Sequence, residues 1–182
     1  MRNLASSRAC KADSEDELYA YAIGALGRRM RSVAELKRLL ARRVDAETEY
    51  GQTLLALVIR RLKDQGYLHD GHYAAAYASL RRDNEKLGRR RVILELKSRG
   101  VHAEVIDQAV TAAYDDVDEE AQARAYLRRK RIAKPKNQKQ MARVFRQLLR
   151  AGFRGKAIFA IAKQWDADEA ISSALEEEDP QP

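Results

Sequence analysis

At 182 residues, with 45% hydrophobic and 34% charged residues, the chain carries enough apolar material to bury a core, which excludes an intrinsically disordered polar tract. Its formal net charge of +8 is unevenly placed: residues 119–163 hold 14 Lys and Arg against 2 Asp and Glu, and residues 164–182 hold 7 acidic residues and no basic one. The lone Cys10 excludes an intrachain disulfide and fits a reducing, cytoplasmic setting, while no stretch approaches the roughly 20 apolar residues of a membrane span.

Residues 1–14 form a polar N-terminal segment without the apolar run of a signal peptide. Beyond them, few helix breakers interrupt long stretches of Ala, Leu, Arg, Lys and Glu, so the expected fold is all-α. Ser14-x-x-Glu17 and Ser32-x-x-Glu35 have the capping-box form that opens a helix. Three segments then align, at 32–45, 88–101 and 140–153. They place Leu36, Val92 and Val144, then Leu40, Leu96 and Leu148, then Val44, Gly100 and Gly152 at equivalent positions, with offsets of 56 and 52 residues. Apolar residues four apart stack on one helix face, and a glycine one turn later is a left-handed helix stop. Val44 cannot adopt that conformation cheaply, so the first of these helices should end differently and be followed by a longer loop.

A helix precedes each aligned segment (18–31, 73–87, 121–132), and another follows it. The following helices are marked by Leu55, Val58, Ile59 and Leu62, by Ile106, Ala109, Val110 and Ala113, and by Ile158, Ile161, Ala162 and Trp165. The unit is three helices. The expected organisation is repeats over 15–68, 69–117 and 118–166 and an acidic tail over 167–182, the repeats forming an elongated, curved array. A tetratricopeptide array is disfavoured, because its period would be about 34 residues.

Between the first two repeats stands a corner. Gly66 ends a helix, Tyr67 and Leu68 pack into the seam, Asp70 caps the next helix, and Tyr73 and Ala74 begin its buried face. With Ser32-x-x-Glu35-Leu36 before it and Gly88-x-x-x-Val92-x-x-Glu95-Leu96-x-x-x-Gly100-Val101 after it, this segment resembles the RecX family. That family shows a GYLdD-x-x-[FY]-A corner, a G-x-x-x-I-x-x-E-L-x-x-x-G-[IV] helix and three tandem three-helix repeats. The resemblance runs from about residue 18 to residue 165, departing at His69, where the family has a small polar residue, and at Val44. It implies a non-enzymatic negative regulator that lodges along the RecA filament on DNA, limits its growth or promotes its disassembly, and so dampens recombination, repair and the SOS response.

The residues themselves offer no phosphate loop, nucleophile elbow or HExxH motif, so no catalytic residue and no cofactor is expected. His69-x-x-His72 lacks the further ligands of a metal site, and no metal is expected there. The basic clusters are the candidate contacts with a polyanion or filament: Arg81 and Arg82, Arg89 and Arg90 of a three-arginine run, Lys97 and Arg99, and the run Arg128, Arg129, Lys130, Arg131, Lys134, Lys136 and Lys139. Pro135 places the end of that run on a loop. The aromatic residues Tyr67, Tyr73, Tyr77, Phe145, Phe153, Phe159 and Trp165 fall mostly at core positions, which argues for contact with the backbone of single- or double-stranded DNA, or with an acidic protein surface, over sequence-specific reading. The acidic tail either aids solubility or screens the basic third repeat. The chain is expected to be a monomer, and a nonspecific nucleic-acid-binding helical protein with no RecA partner is the competing functional reading.

Overall fold

The computed structural model describes Ala12 and residues 14–165, so Cys10 and the acidic tail lie outside the described residues. The order is α1 (Glu15–Arg28), α2 (Val33–Leu40), α3 (Glu49–Asp64), α4 (Asp70–Asp83), α5 (Arg89–Ser98), α6 (Ala103–Tyr114), α7 (Glu119–Arg129), α8 (Gln138–Arg150) and α9 over 155–165. The fold is all-α, three three-helix repeats in tandem, with no strand among the described residues. Two compact units divide the chain: Met1–Ala74 with Leu96–Ile106, and Ala75–Glu95 with Asp107–Pro182.

In the first unit Leu18 and Ala22 of α1, Leu36 and Leu40 of α2, and Val58 and Leu62 of α3 meet with no exposure. Each such leucine contributes about 1.5–3 kcal/mol by leaving water. Ser32 and Glu35 complete their capping box reciprocally, while Ser14 accepts from the Glu17 N–H and Thr48 from that of Gly51. Helix α2 stops at Leu40 and hands over to a run of turns, with Val44 buried there in an ordinary backbone conformation, as expected for a residue that cannot turn left-handed. The Ser32 hydroxyl donates to the Arg99 carbonyl at 2.6 Å, tying the start of α2 to the end of α5. At this junction Gly100 has φ +78°, and a Cβ on it would lie 2.5 Å from the Ala34 Cβ.

The same junction recurs in the second unit, between the start of α5 and the end of α8. The Gly88 N–H donates to the Ala151 carbonyl at 2.8 Å and the Arg90 N–H to that of Gly152 at 3.3 Å. Orphan donors of one helix thus meet orphan acceptors of another. A Cβ on Gly88 would sit 2.5 Å from the Gly152 carbonyl carbon, and Gly152 has φ +95°, so both positions require glycine. The residues 88 and 152 are offset by 56 and 52 from Ser32 and Gly100, so the repeat extends to its tertiary contacts. Val92, Leu148 and Phe153 are fully buried in this unit, Phe153 edge-on to Tyr126 with ring centres 5.9 Å apart.

Three expectations are corrected. Asp70 does not cap α4: it is the first helical residue, and its carboxylate accepts from the Val33 N–H at 2.8 Å. The cap is His69, whose Nδ1 accepts from the His72 N–H at 3.1 Å and whose carbonyl accepts from Tyr73. Tyr67 is 60% exposed after the left-handed turn at Gly66, and of the pair only Leu68 enters the core. Phe159 is 64% exposed, since α9 turns Ala157, Ile158 and Ile161 inward and leaves Phe159 beside the ring of Phe145.

Candidate functional site

Helix α8 is capped by Asn137, which accepts from the Gln140 N–H, and buries Val144 and Leu148. Lys139, Arg143, Arg146 and Arg150 stand on it at intervals of four, three and four residues, the spacing of one helix face. Arg143 and Arg150 open onto a groove of about 520 Å³ within the second unit, to which α5 contributes Arg91 and Glu95, the α4–α5 loop Glu85, α7 the ring of Tyr126, and the C-cap of α7 Lys130. The Lys130 ammonium stands 5.9 Å from the Tyr126 ring centre.

The groove carboxylates are internally matched. Glu95 accepts from the Tyr77 hydroxyl at 2.7 Å and from Arg91 at 2.9 Å, and lies 3.1 Å from Arg81. Arg81 also pairs with Glu85. No carboxylate among the described residues pairs with Arg143 or Arg150. Uncompensated positive charge in a concave surface attracts phosphates or carboxylates, with an affinity that falls as salt rises.

The sequence-derived candidates divide into two kinds. Arg81 is half-buried on Glu85 and Glu95, and Arg82 forks onto Asp83 at 2.7 and 2.9 Å and donates to the Ala113 carbonyl. Arg89 donates to the Thr111 hydroxyl at 2.8 Å, Arg129 to the Asn84 carbonyl, and Arg99 to Glu35 at 2.7 Å. These guanidiniums hold the protein together. Arg90, Lys97, Arg128, Lys130, Arg131, Lys134, Lys136 and Lys139 are exposed, Lys97 in the first unit and the others in the second. Arg131 has φ +53° at the end of α7, a left-handed conformation shared among the described residues by Lys86 (φ +56°) and by Gly66, Gly100 and Gly152. Of the candidates only Lys130 lines the groove. Arg143 and Arg150 are not among the sequence-derived candidates, although their spacing against Val144 and Leu148 signals them, and neither is Arg91, the third of its arginine run.

His69 and His72 stack with ring centres 4.3 Å apart. No group of three or more His, Cys, Asp or Glu among the described residues is arranged to hold a metal ion. No helix there is long and apolar enough to cross a membrane.

Comparison with known proteins bears on the repeats directly. A model of the second three-helix domain of RecX matches residues 70–110. Regulatory protein RecX of Deinococcus radiodurans is 30% identical over 164 residues, covering 87% of this chain and 74% of that protein. The chain belongs to the RecX family. Regulatory protein RecX of Myxococcus xanthus is 33% identical, covering 72% of this chain and 74% of its own length. The Bacillus subtilis RecX is 31% identical over 79% of this chain, which spans 53% of that longer protein. The crystal structure of RecX from Lactobacillus salivarius superposes with a TM-score of 0.63 at 18% identity, covering 85% of this chain and 98% of that one, and so shares the fold. RecX proteins are regulatory rather than enzymatic. In this chain the family's helix motif has a structural account: Gly88 admits the α8 terminus, Val92 and Leu96 are core, Glu95 gathers Tyr77, Arg81 and Arg91, and Gly100 turns left-handed.

Proposed function

We propose that this chain is a negative regulator of RecA that binds the RecA–DNA filament and limits its growth or activity, thereby modulating recombination, repair and the SOS response. The observation that carries this reading is family membership, at 30% identity across 87% of the chain. The basic groove supports a polyanion contact, and we assign that contact to Arg91, Lys130, Arg143 and Arg150, with Arg128, Arg131, Lys134, Lys136 and Lys139 as the outlying basic residues. Arg81, Arg82, Arg89, Arg99 and Arg129 are assigned positioning roles by their internal partners.

Contact through phosphates, to single- or double-stranded DNA without sequence preference, agrees with the groove's one aromatic wall being the buried Tyr126. The action is cytoplasmic, where RecA meets DNA, and one copy of the chain suffices for it. The repeats over 15–68, 69–117 and 118–166 are the units we assign to the family's tandem domains. The competing reading, a DNA-binding protein indifferent to RecA, is separated by co-sedimentation at equal salt with RecA-coated and with bare single-stranded DNA. Preference for the coated filament, partly retained after Arg143→Glu and Arg150→Glu, is expected. Equal binding to both, abolished by those substitutions, would favour the competing reading.

A further inference from the structure

The groove's unmatched cations have a potential ligand in the same chain. Residues 166–182 carry 7 Asp and Glu and no Lys or Arg, with four acidic residues in succession from Glu176 to Asp179. The described chain ends at Trp165, and its exit is located by a hydrogen bond of 2.6 Å from Arg124 of α7 to Gln164. Arg124 precedes Lys130, a groove residue, by six positions on or at the end of the same helix, about 9 Å along its axis. The ten residues 166–175 that lead to Glu176 can extend about 33 Å. The acidic cluster therefore has ample length to reach the groove from where the chain leaves α9.

We propose that the acidic C-terminal segment competes intramolecularly for the basic groove of the second unit, acting as a tethered polyanion that an external one must displace. This rests on the reading of the groove as a polyanion site. A segment tethered so closely has an effective concentration on the order of millimolar. If its own affinity is comparably weak, it lowers the apparent affinity for an external polyanion by about 2–10-fold. The effect is electrostatic and fades as salt screens it. Arg143 and Arg150, which pair with no carboxylate among the described residues, and an unbalanced acidic run are then two halves of one device that weakens binding of an external polyanion to the groove by the same modest factor whatever its source.

The test uses the full chain. Affinity for a fluorescein-labelled single-stranded 30-mer is compared between the native protein, the protein ending at Trp165, and a full-length variant with Glu176→Gln, Glu177→Gln, Glu178→Gln and Asp179→Asn. In parallel, a nitroxide attached through Glu178→Cys in a Cys10→Ser background reports by paramagnetic broadening on the backbone amides of Lys130, Arg143 and Arg150. The expected result is a 2–10-fold gain in affinity for both altered proteins at low salt, lost at high salt, with broadening of the groove amides that DNA relieves. Higher affinity without broadening overturns the proposal, because the segment would act through net charge alone. Unchanged affinity overturns it too, and if Arg143→Glu with Arg150→Glu still weakens DNA binding, the groove reading survives that failure. If that pair also leaves DNA binding unchanged, both readings fall.

Discussion

Gly100→Ala tests the junction that repeats through the fold. At φ +78° an alanine is held in the left-handed region at about 1–2 kcal/mol. Its Cβ would also stand 2.5 Å from that of Ala34, and forcing such overlap from a packed junction adds about 1–3 kcal/mol. The expected loss is about 2–5 kcal/mol. Gly66→Ala is the control: φ is +76° but nothing lies within 4 Å of the added Cβ, so only the conformational part, about 1–2 kcal/mol, is expected. Ala34→Gly should restore most of the steric difference in the Gly100→Ala background, less about 0.5–1 kcal/mol for a glycine in α2. Urea titration followed by circular dichroism measures the whole chain, while fluorescence of Trp165 follows the second unit. If Gly100→Ala is no more damaging than Gly66→Ala, or if Ala34→Gly gives no rescue, the α2–α5 approach is not as described.

Replacing Arg143 and Arg150 by glutamine should reduce the slope of log affinity against log salt for single-stranded DNA by about 1.4, two phosphate contacts' worth; an unchanged slope in an anisotropy titration would remove both residues from the interface. His69→Ala should destabilise the protein by about 1 kcal/mol through loss of the α4 cap, and His69→Asn should not; equal losses in a thermal melt would return the capping role to another residue. The Tyr114 hydroxyl donates to the Leu87 carbonyl at 2.9 Å, and burial raises its pKa well above the ordinary value. Its contribution is therefore complete below about pH 10 and is lost as pH rises towards the folded-state pKa. Tyr114→Phe should weaken the protein at neutral pH yet flatten this alkaline decline; an identical decline in the variant would assign it to other groups.

The helical repeat was legible because burial imposes it on the sequence. Leu36, Val92 and Val144, and Leu40, Leu96 and Leu148, recur where helix geometry turns them inward, and Gly100 and Gly152 recur where only glycine turns freely left-handed. Arg131 shows the limit of that logic, since a non-glycine residue holds the same conformation at the end of α7. The corner was legible in outline only: Gly66 and Leu68 behave as expected, but nothing local distinguishes His69 from Asp70 as the cap when the competing acceptor role for Asp70 lies at Val33, 37 residues away.

The arginines were least legible. Arg82 and Arg129 find carbonyl partners 31 and 45 residues distant, so their sequence clusters look alike whether they hold the fold or meet a ligand. Arg143 and Arg150 could have been found by pairing the cation spacing of α8 with its apolar spacing, because the face that excludes Val144 and Leu148 is the face left for a partner.

The most direct measurement is ATP hydrolysis by the cognate RecA on single-stranded DNA, with this protein added well below one copy per RecA. The account predicts a progressive fall in hydrolysis at substoichiometric protein, since one copy on a filament affects many subunits. Hydrolysis that is unchanged at every ratio, under conditions where the protein binds the same DNA, would contradict it.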